Sequence, residues 1–238
     1  MLSKLVRNLL YYFDVNKGFT FEAASLQAAM RRVLRRGLEI NTVIDIGASN
    51  GQWSFEMGQY FPHADFLLIE AQDVHRQALE AFVRTHPNAN FVMKAAGDAE
   101  GTIKFEADGP FAGQVVGNCG GQNVIEVPMT SIDAEVTARN LRGPFLLKFD
   151  VHGYETTILR GASETLRSSE LIVMECYNFH IGESALLFPE MCRYMDDLGF
   201  RVIDFSEPLW RPRDEALWQF DLFFVRKSRA EFQDNKYS

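Results

Sequence analysis

The chain has 238 residues, 47% hydrophobic and 24% charged, a balance that suits one large soluble α/β domain with an appendage. Its 24 Lys and Arg against 32 Asp and Glu give a formal charge of -8, which repels a phosphate backbone and argues against a nucleic-acid partner. No apolar run reaches membrane-spanning length, and Cys119, Cys176 and Cys192 stand far apart, so no transmembrane segment, disulfide framework or cysteine-ligated zinc is expected, and a cytoplasmic location is.

In chain order, Leu2, Leu5, Val6, Leu9, Leu10 and Phe13 recur at helical spacing. A second amphipathic stretch runs from about 20 to 38, with Leu26, Met30, Val33, Leu34 and Leu38 as its stripe. Residues 1–40 therefore read as an N-terminal helical extension that caps the core or a second copy of the chain in a homo-oligomer. The arginines of "RRVLRR", residues 31–36, read as a solvated face. Peripheral membrane contact through Lys4 and Arg7 is the alternative for the first helix.

From residue 41 to 228 the pattern is that of a doubly wound α/β domain, with 229–238 as a flexible tail. Short β-branched runs predict strands at 42–46, 66–70, 90–94, 145–149, 170–175, 200–205 and 218–226. Trp53, Met57, Tyr60 and Phe61 make one helical stripe. Val74, Ala78, Leu79, Phe82 and Val83 make the next, with Asp73 as its N-cap, so three βα units are expected in succession. "TIKFEA" and "NVIEVPM" flank the Gly-rich 108–123 and predict an inserted hairpin. Met191, Tyr194, Met195 and Leu198 predict a late helix stopped by Gly199.

The chemistry starts at "TVIDIGASNGQW", residues 42–53. Gly47 and Gly51 permit a tight turn that aims the N–H groups of a helix start at a ligand. A dinucleotide would need a further glycine at 49 to admit its pyrophosphate, and Asp45 would repel one. The ligand should be phosphate-free and partly cationic, which fits S-adenosyl-L-methionine. Glu70, nineteen residues past Gly51, ends the second strand where an acid can accept both ribose hydroxyls. Ala48 and Ala71 flank these positions, and Asp98 follows the third strand beside the expected adenine edge.

"LLKFDVHGYE", residues 146–155, puts Lys148, Asp150 and His152 on one face at the carboxyl end of the fourth strand, should the strand continue. Its imidazole makes His152 the natural general base for a hydroxyl acceptor, with Asp150 orienting it or acting itself. Lys148 with Asp150 also reads as an ion pair. Glu175 and His180 reach the same mouth; a divalent metal between Asp150, Glu175 and His180 is chemically possible, but hydrogen bonds are the commoner use of such carboxylates, so no metal is expected. Tyr154, Tyr177, Phe179 and Phe188, with the 108–123 loop and the segment 178–190, would frame an acceptor pocket.

With those residues in place, the sequence resembles the FkbM family of methyltransferases over residues 42–226. The resemblance rests on "VIDIGASNGQWS", "LLIEA", "AAGDAEG" and above all "LLKFDVHGYETTILRGA". Ser49 stands where the family often has Asn, His152 where it has Glu, and "IEAQD" where FEP is common. The resemblance implies a class I methyltransferase, Rossmann-like, doubly wound and mostly parallel sheet of seven strands whose last strand is antiparallel. It also implies S-adenosyl-L-methionine as cofactor and transfer to oxygen on a small molecule or sugar, such as a glycan or a secondary metabolite. The other readings are an NAD(P)-dependent oxidoreductase and a non-catalytic cofactor-binding module.

Overall fold

The computed structural model describes residues 23–107, 113–115, 124–182 and 184–236. The helix expected over 2–13 and most of the 108–123 loop, with Cys119, lie outside them. The first described helix, α1 (Leu26–Arg35), is capped by Ser25, whose Oγ accepts from the Ala28 N–H at 3.2 Å.

Alternation of strand and helix then builds β1 (Thr42–Ile46), α2 (Gln52–Met57), β2 (Asp65–Glu70), α3 (Arg76–Thr85) and β3 (Ala89–Met93). After β3 the chain departs from the expected third βα unit. It enters β4 (Ala95–Gly97), β5 (Gly101–Ala107), β6 (Gly113–Val115) and β7 (Val124–Ser131), a separate sheet ordered β4-β7-β5-β6 that contains the predicted hairpin as the antiparallel β5/β7 pair. The main sheet resumes through α4 (Ile132–Ala138), β8 (Phe145–Phe149), α5 (Glu155–Arg160), α6 (Ser163–Arg167), β9 (Ser169–Tyr177), α7 (Phe188–Asp197), β10 (Phe200–Trp210) and β11 (Leu217–Arg226).

Seven strands run β10-β11-β9-β8-β1-β2-β3, with β3, β2, β1, β8 and β9 mutually parallel and β11 antiparallel to both neighbours. This is the doubly wound class I methyltransferase sheet that the resemblance implies. The order reverses between β1 and β8, and ligands bind at the carboxyl ends of such a switch point. Both faces of the sheet are covered. One core joins Ile44, Leu147, Phe149 and Ile172 to Ile158 and Met195; the other joins Val43, Leu146 and Val173 to Met30, Met57 and Leu79. Each such fully buried side chain contributes about 1.5–3 kcal/mol.

Several local expectations are corrected. Asp73 opens a 3-10 turn, Asp73–His75, instead of capping α3; its carboxylate pairs with Arg76, and Val74 is 69% exposed rather than part of the stripe. Tyr60 and Phe61 pack against the core from beyond the end of α2. Leu34 faces solvent at 42% exposure. The arginines of α1 are not all solvated either: Arg32 grips Asp204 of β10 through two bonds of 2.7 Å, and Arg36 adds one of 3.2 Å. The helix α1 thus packs its apolar side on its own sheet. Gly199, at φ +87°, ends the late helix as expected. No helix among the described residues is long and apolar enough to cross a membrane.

Candidate active site

The turn after β1 is built around glycine. Gly47 has φ +78°, and a Cβ there would lie 2.0 Å from the Asp150 carbonyl oxygen, so only glycine lets the β1 and β8 ends approach. The Gly47 and Ala48 N–H groups donate to the Ile69 carbonyl. Glu70 then clamps the turn from β2: one carboxylate oxygen accepts from the Ser49 N–H and the other from the Gln72 N–H, both at 2.7 Å. Each oxygen keeps a lone pair for a ligand hydroxyl. Gly51, at φ +80°, opens α2 and packs on Leu68 and Leu79 without lining a cavity.

Two chambers meet across this turn. The first, ≈ 360 Å³, is lined by Glu70, Ala71, Gln72, residues 94–96 and Tyr154; the second, ≈ 340 Å³, by Asp45, Ala48, Trp53, Lys148, Glu207 and Asp221. Gly47, Ser49, Asp150, Glu175 and Gln219 line both.

Asp45 is 1% exposed and accepts from Ser54 Oγ at 2.7 Å through Oδ2, whereas its Oδ1 and the indole Nε1 of Trp53 are buried without a hydrogen-bond partner. Burial raises the Asp45 carboxyl to about 6. A buried acceptor and a buried donor, both on residues that line one chamber, suit a ligand carrying an ammonium and a carboxylate. S-adenosyl-L-methionine has that amino-acid end, and the donor set around it fits.

Lys148 sits beside Asp45 in the sheet register, 4% exposed, and donates to Asp150 Oδ2 at 2.7 Å. Burial opposes its charge, but Asp150, Asp45 and Asp221 together hold the ammonium well above its ordinary value. Burial likewise opposes ionisation of Asp150, yet Lys148 keeps that carboxyl below its usual range. On β9, Glu175 accepts from the Tyr177 hydroxyl and the Gln219 amide, and burial with the Asp150 charge pushes its carboxyl up to about 8. Its register neighbour on β11 is Asp221, raised to about 6 by burial.

His152 joins them by a route other than strand alternation. The strand stops at Phe149, and His152 adopts φ +51°, a left-handed conformation that costs a non-glycine residue about 1–2 kcal/mol. Gly153 follows at φ +100°, and its N–H donates to Glu155 at 2.8 Å. The turn brings His152 Nε2 to 3.7 Å from Asp150 Oδ1 and 3.6 Å from Glu175 Oε2. Lys148, Asp150 and His152 are therefore together, with Glu175 added.

Other expected residues are elsewhere. His180, grouped from sequence with Asp150 and Glu175, turns its Nδ1 to the Ala185 carbonyl instead, at 3.3 Å. Asp98 lines neither chamber and faces Arg160 at 3.4 Å, whereas residues 94–96 line the first. The glycines around Asp98 are needed for packing: a Cβ on Gly161 would lie 2.1 Å from the Gly97 carbonyl oxygen, and one on Gly97 2.3 Å from Met129 Sδ. Tyr154 and Tyr177 line the first chamber, whereas Phe179 stacks on Trp218 under Arg211, and Phe188 packs on Phe220. Sequence reasoning missed Asp221, Gln219 and the indole of Trp53. A lone acid inside the apolar run "FDLFFV" was the available signal for Asp221, the same one that singled out Lys148.

Among solved structures, similar folds include 1,6-didemethyltoxoflavin-N1-methyltransferase of Burkholderia thailandensis, at 8% identity, TM-score 0.48, and coverage of 93% of this chain and 87% of that one. Magnesium protoporphyrin IX methyltransferase of Synechocystis PCC 6803 follows at 12% identity and TM-score 0.47, covering 84% and 77%. Fibrillarin of Aeropyrum pernix is similar at 14% identity and TM-score 0.45, covering 79% and 71%. No curated protein sequence matches the chain. The family described as the methyltransferase FkbM domain matches residues 45–202, more than half of the chain, which therefore belongs to the FkbM family of methyltransferases.

Proposed function

We propose that the protein uses S-adenosyl-L-methionine to O-methylate a hydroxyl of a sugar, a glycan or a secondary metabolite. The observation that carries the cofactor reading is the pair of unpartnered buried atoms, Asp45 Oδ1 and Trp53 Nε1, both belonging to residues of the second chamber. On this reading Asp45 binds the ammonium and Trp53 donates to the carboxylate. Glu70 accepts from the ribose hydroxyls in the first chamber, with Ala71 and residues 94–96 around the base. Gly47, Ala48 and Gly51 shape the turn between, and Asp98 is left out of the contact set. When bound, the cofactor supplies an electrophilic methyl group on a sulfonium.

The acceptor hydroxyl is placed where the chambers join, at Asp150, His152 and Glu175. Alignment there can supply roughly 7–11 kcal/mol of the barrier to an in-line displacement. His152 takes the hydroxyl proton, Asp150 faces the imidazole, and Lys148 fixes Asp150 while remaining protonated. Tyr177 and Gln219 hold Glu175 in place.

Calorimetric titration with S-adenosylhomocysteine and, separately, NADH tests this reading. Binding of S-adenosylhomocysteine alone supports it, and binding of NADH instead would return the chain to an oxidoreductase.

A further inference from the structure

We infer that Asp150, His152 and Glu175 form a binding site for one divalent transition-metal ion, used to grip two adjacent oxygens of the acceptor. One donor atom from each residue lies within 4.8 Å of the others, and an imidazole with two carboxylates is a donor set suited to Mn²⁺, Co²⁺ or Zn²⁺. The spacing agrees with that use. Bonds of about 2.1–2.4 Å set neighbouring ligands of an octahedral ion roughly 3.0–3.4 Å apart, and His152 Nε2 stands 3.6 and 3.7 Å from the two carboxylate oxygens. Closing by a few tenths of an ångström would complete the three protein ligands.

The groups behind the donors support the assignment. Lys148 holds Asp150 by Oδ2, leaving Oδ1 toward His152; Gln219 holds Glu175 by Oε1, and Oε2, which accepts from the Tyr177 hydroxyl, also faces the imidazole. Outer partners of this kind orient the ligands of metal sites. The charge balance is independent of that geometry. Around Lys148 stand Asp45, Asp150, Glu175 and Asp221, all lining the second chamber, and Asp45 Oδ1 has no hydrogen-bond partner. Four carboxyl groups thus share one lysine ammonium, and a divalent ion at Asp150 and Glu175 would add positive charge among them.

The inference deepens the methyl-transfer reading without resting on it for binding. An ion here would polarise the acceptor hydroxyl and occupy His152 Nε2, so the hydroxyl proton would leave to solvent water instead of the imidazole. The acceptor class is then a vicinal diol or a hydroxyl next to a carbonyl or carboxylate.

The test is calorimetric titration of the protein loaded with S-adenosylhomocysteine with MnCl₂, read in parallel by the loss of the free-ion Mn²⁺ resonance signal. One site per chain is expected, with affinity weakened roughly tenfold or more in His152→Ala and Glu175→Gln and unchanged in His180→Ala. Thermal melts establish that each variant is folded, and Tyr177→Phe, which keeps all three ligands, should weaken the ion less than loss of a ligand. No saturable Mn²⁺ binding below about 1 mM, or binding that His152→Ala leaves intact, overturns the site. Failure of the methyl-transfer reading shows separately, as absent S-adenosylhomocysteine binding in the first step.

Discussion

The two turns that close β1 and β8 lie side by side and solve opposite problems. After β1, Gly47 and Gly51 take left-handed conformations freely, Ser49 joins them at φ +49°, and the turn offers backbone N–H groups, two of them spent on Ile69 and one on Glu70. After β8 the left-handed residue is a histidine, and the turn offers side chains. At His152 the left-handed backbone brings the ring within reach of two carboxylates. The first turn shapes a cavity, and the second fills its junction with reactive groups.

Substitutions should separate the two. The largest effect is expected from His152→Ala, which lowers turnover by roughly 10²–10⁴-fold while S-adenosylhomocysteine affinity stays within a few-fold. Steady-state rates with a hydroxyl acceptor that the protein methylates check this, and undiminished turnover would remove His152 from the chemistry. Gly47→Ala forces a Cβ onto the Asp150 carbonyl and should cost about 3 kcal/mol or more of stability, read in denaturant unfolding. A small loss would mean that the β1 and β8 ends can part.

Glu70→Ala should weaken S-adenosylhomocysteine by about 1–3 kcal/mol; equal affinity would confine Glu70 to holding the turn. The pH dependence of binding sharpens the role of Asp45. Its carboxyl rises from 3.8 to about 6 on folding, so between those values the native state keeps a proton that the unfolded chain has released. This group therefore lowers the stability of the ligand-free protein as pH rises through that window and adds no further change above it. An ammonium needs the ionised form, so S-adenosylhomocysteine should bind more weakly below pH 6, by up to about tenfold per unit. Asp45→Asn should remove both dependences, and a slope that persists in the variant assigns the titration elsewhere. The smallest effect is expected from His152→Gly, which relieves the left-handed strain and should raise stability by up to about 1 kcal/mol as activity is lost. A less stable variant would show that the ring's contacts outweigh the strain.

Much of this architecture was legible because local rules carried it. The strands at 42–46 and 145–149 coincide with β1 and β8, since continuous β-branched and aromatic runs have one good use in a sheet covered on both faces. Asp45, Glu70, Lys148 and Asp150 stood out for a related reason: a charge inside or at the end of such a run is costly without a partner. Val74 and Asp73 were misread because a 3-10 turn precedes α3, a shift of register that stripe counting does not detect.

By itself, then, the sequence determined the seven strands of the main sheet, the glycine turn and the acids at strand ends, because these follow from periodicity and the cost of burial. Tertiary structure decided the rest. Only the sheet order sets Asp221 of β11 beside Glu175 of β9, 46 positions apart in the chain. Only the left-handed turn at 152 chooses His152 over His180 as the imidazole of the site, because the direction of a side chain after a strand ends depends on a backbone angle that residue type does not fix.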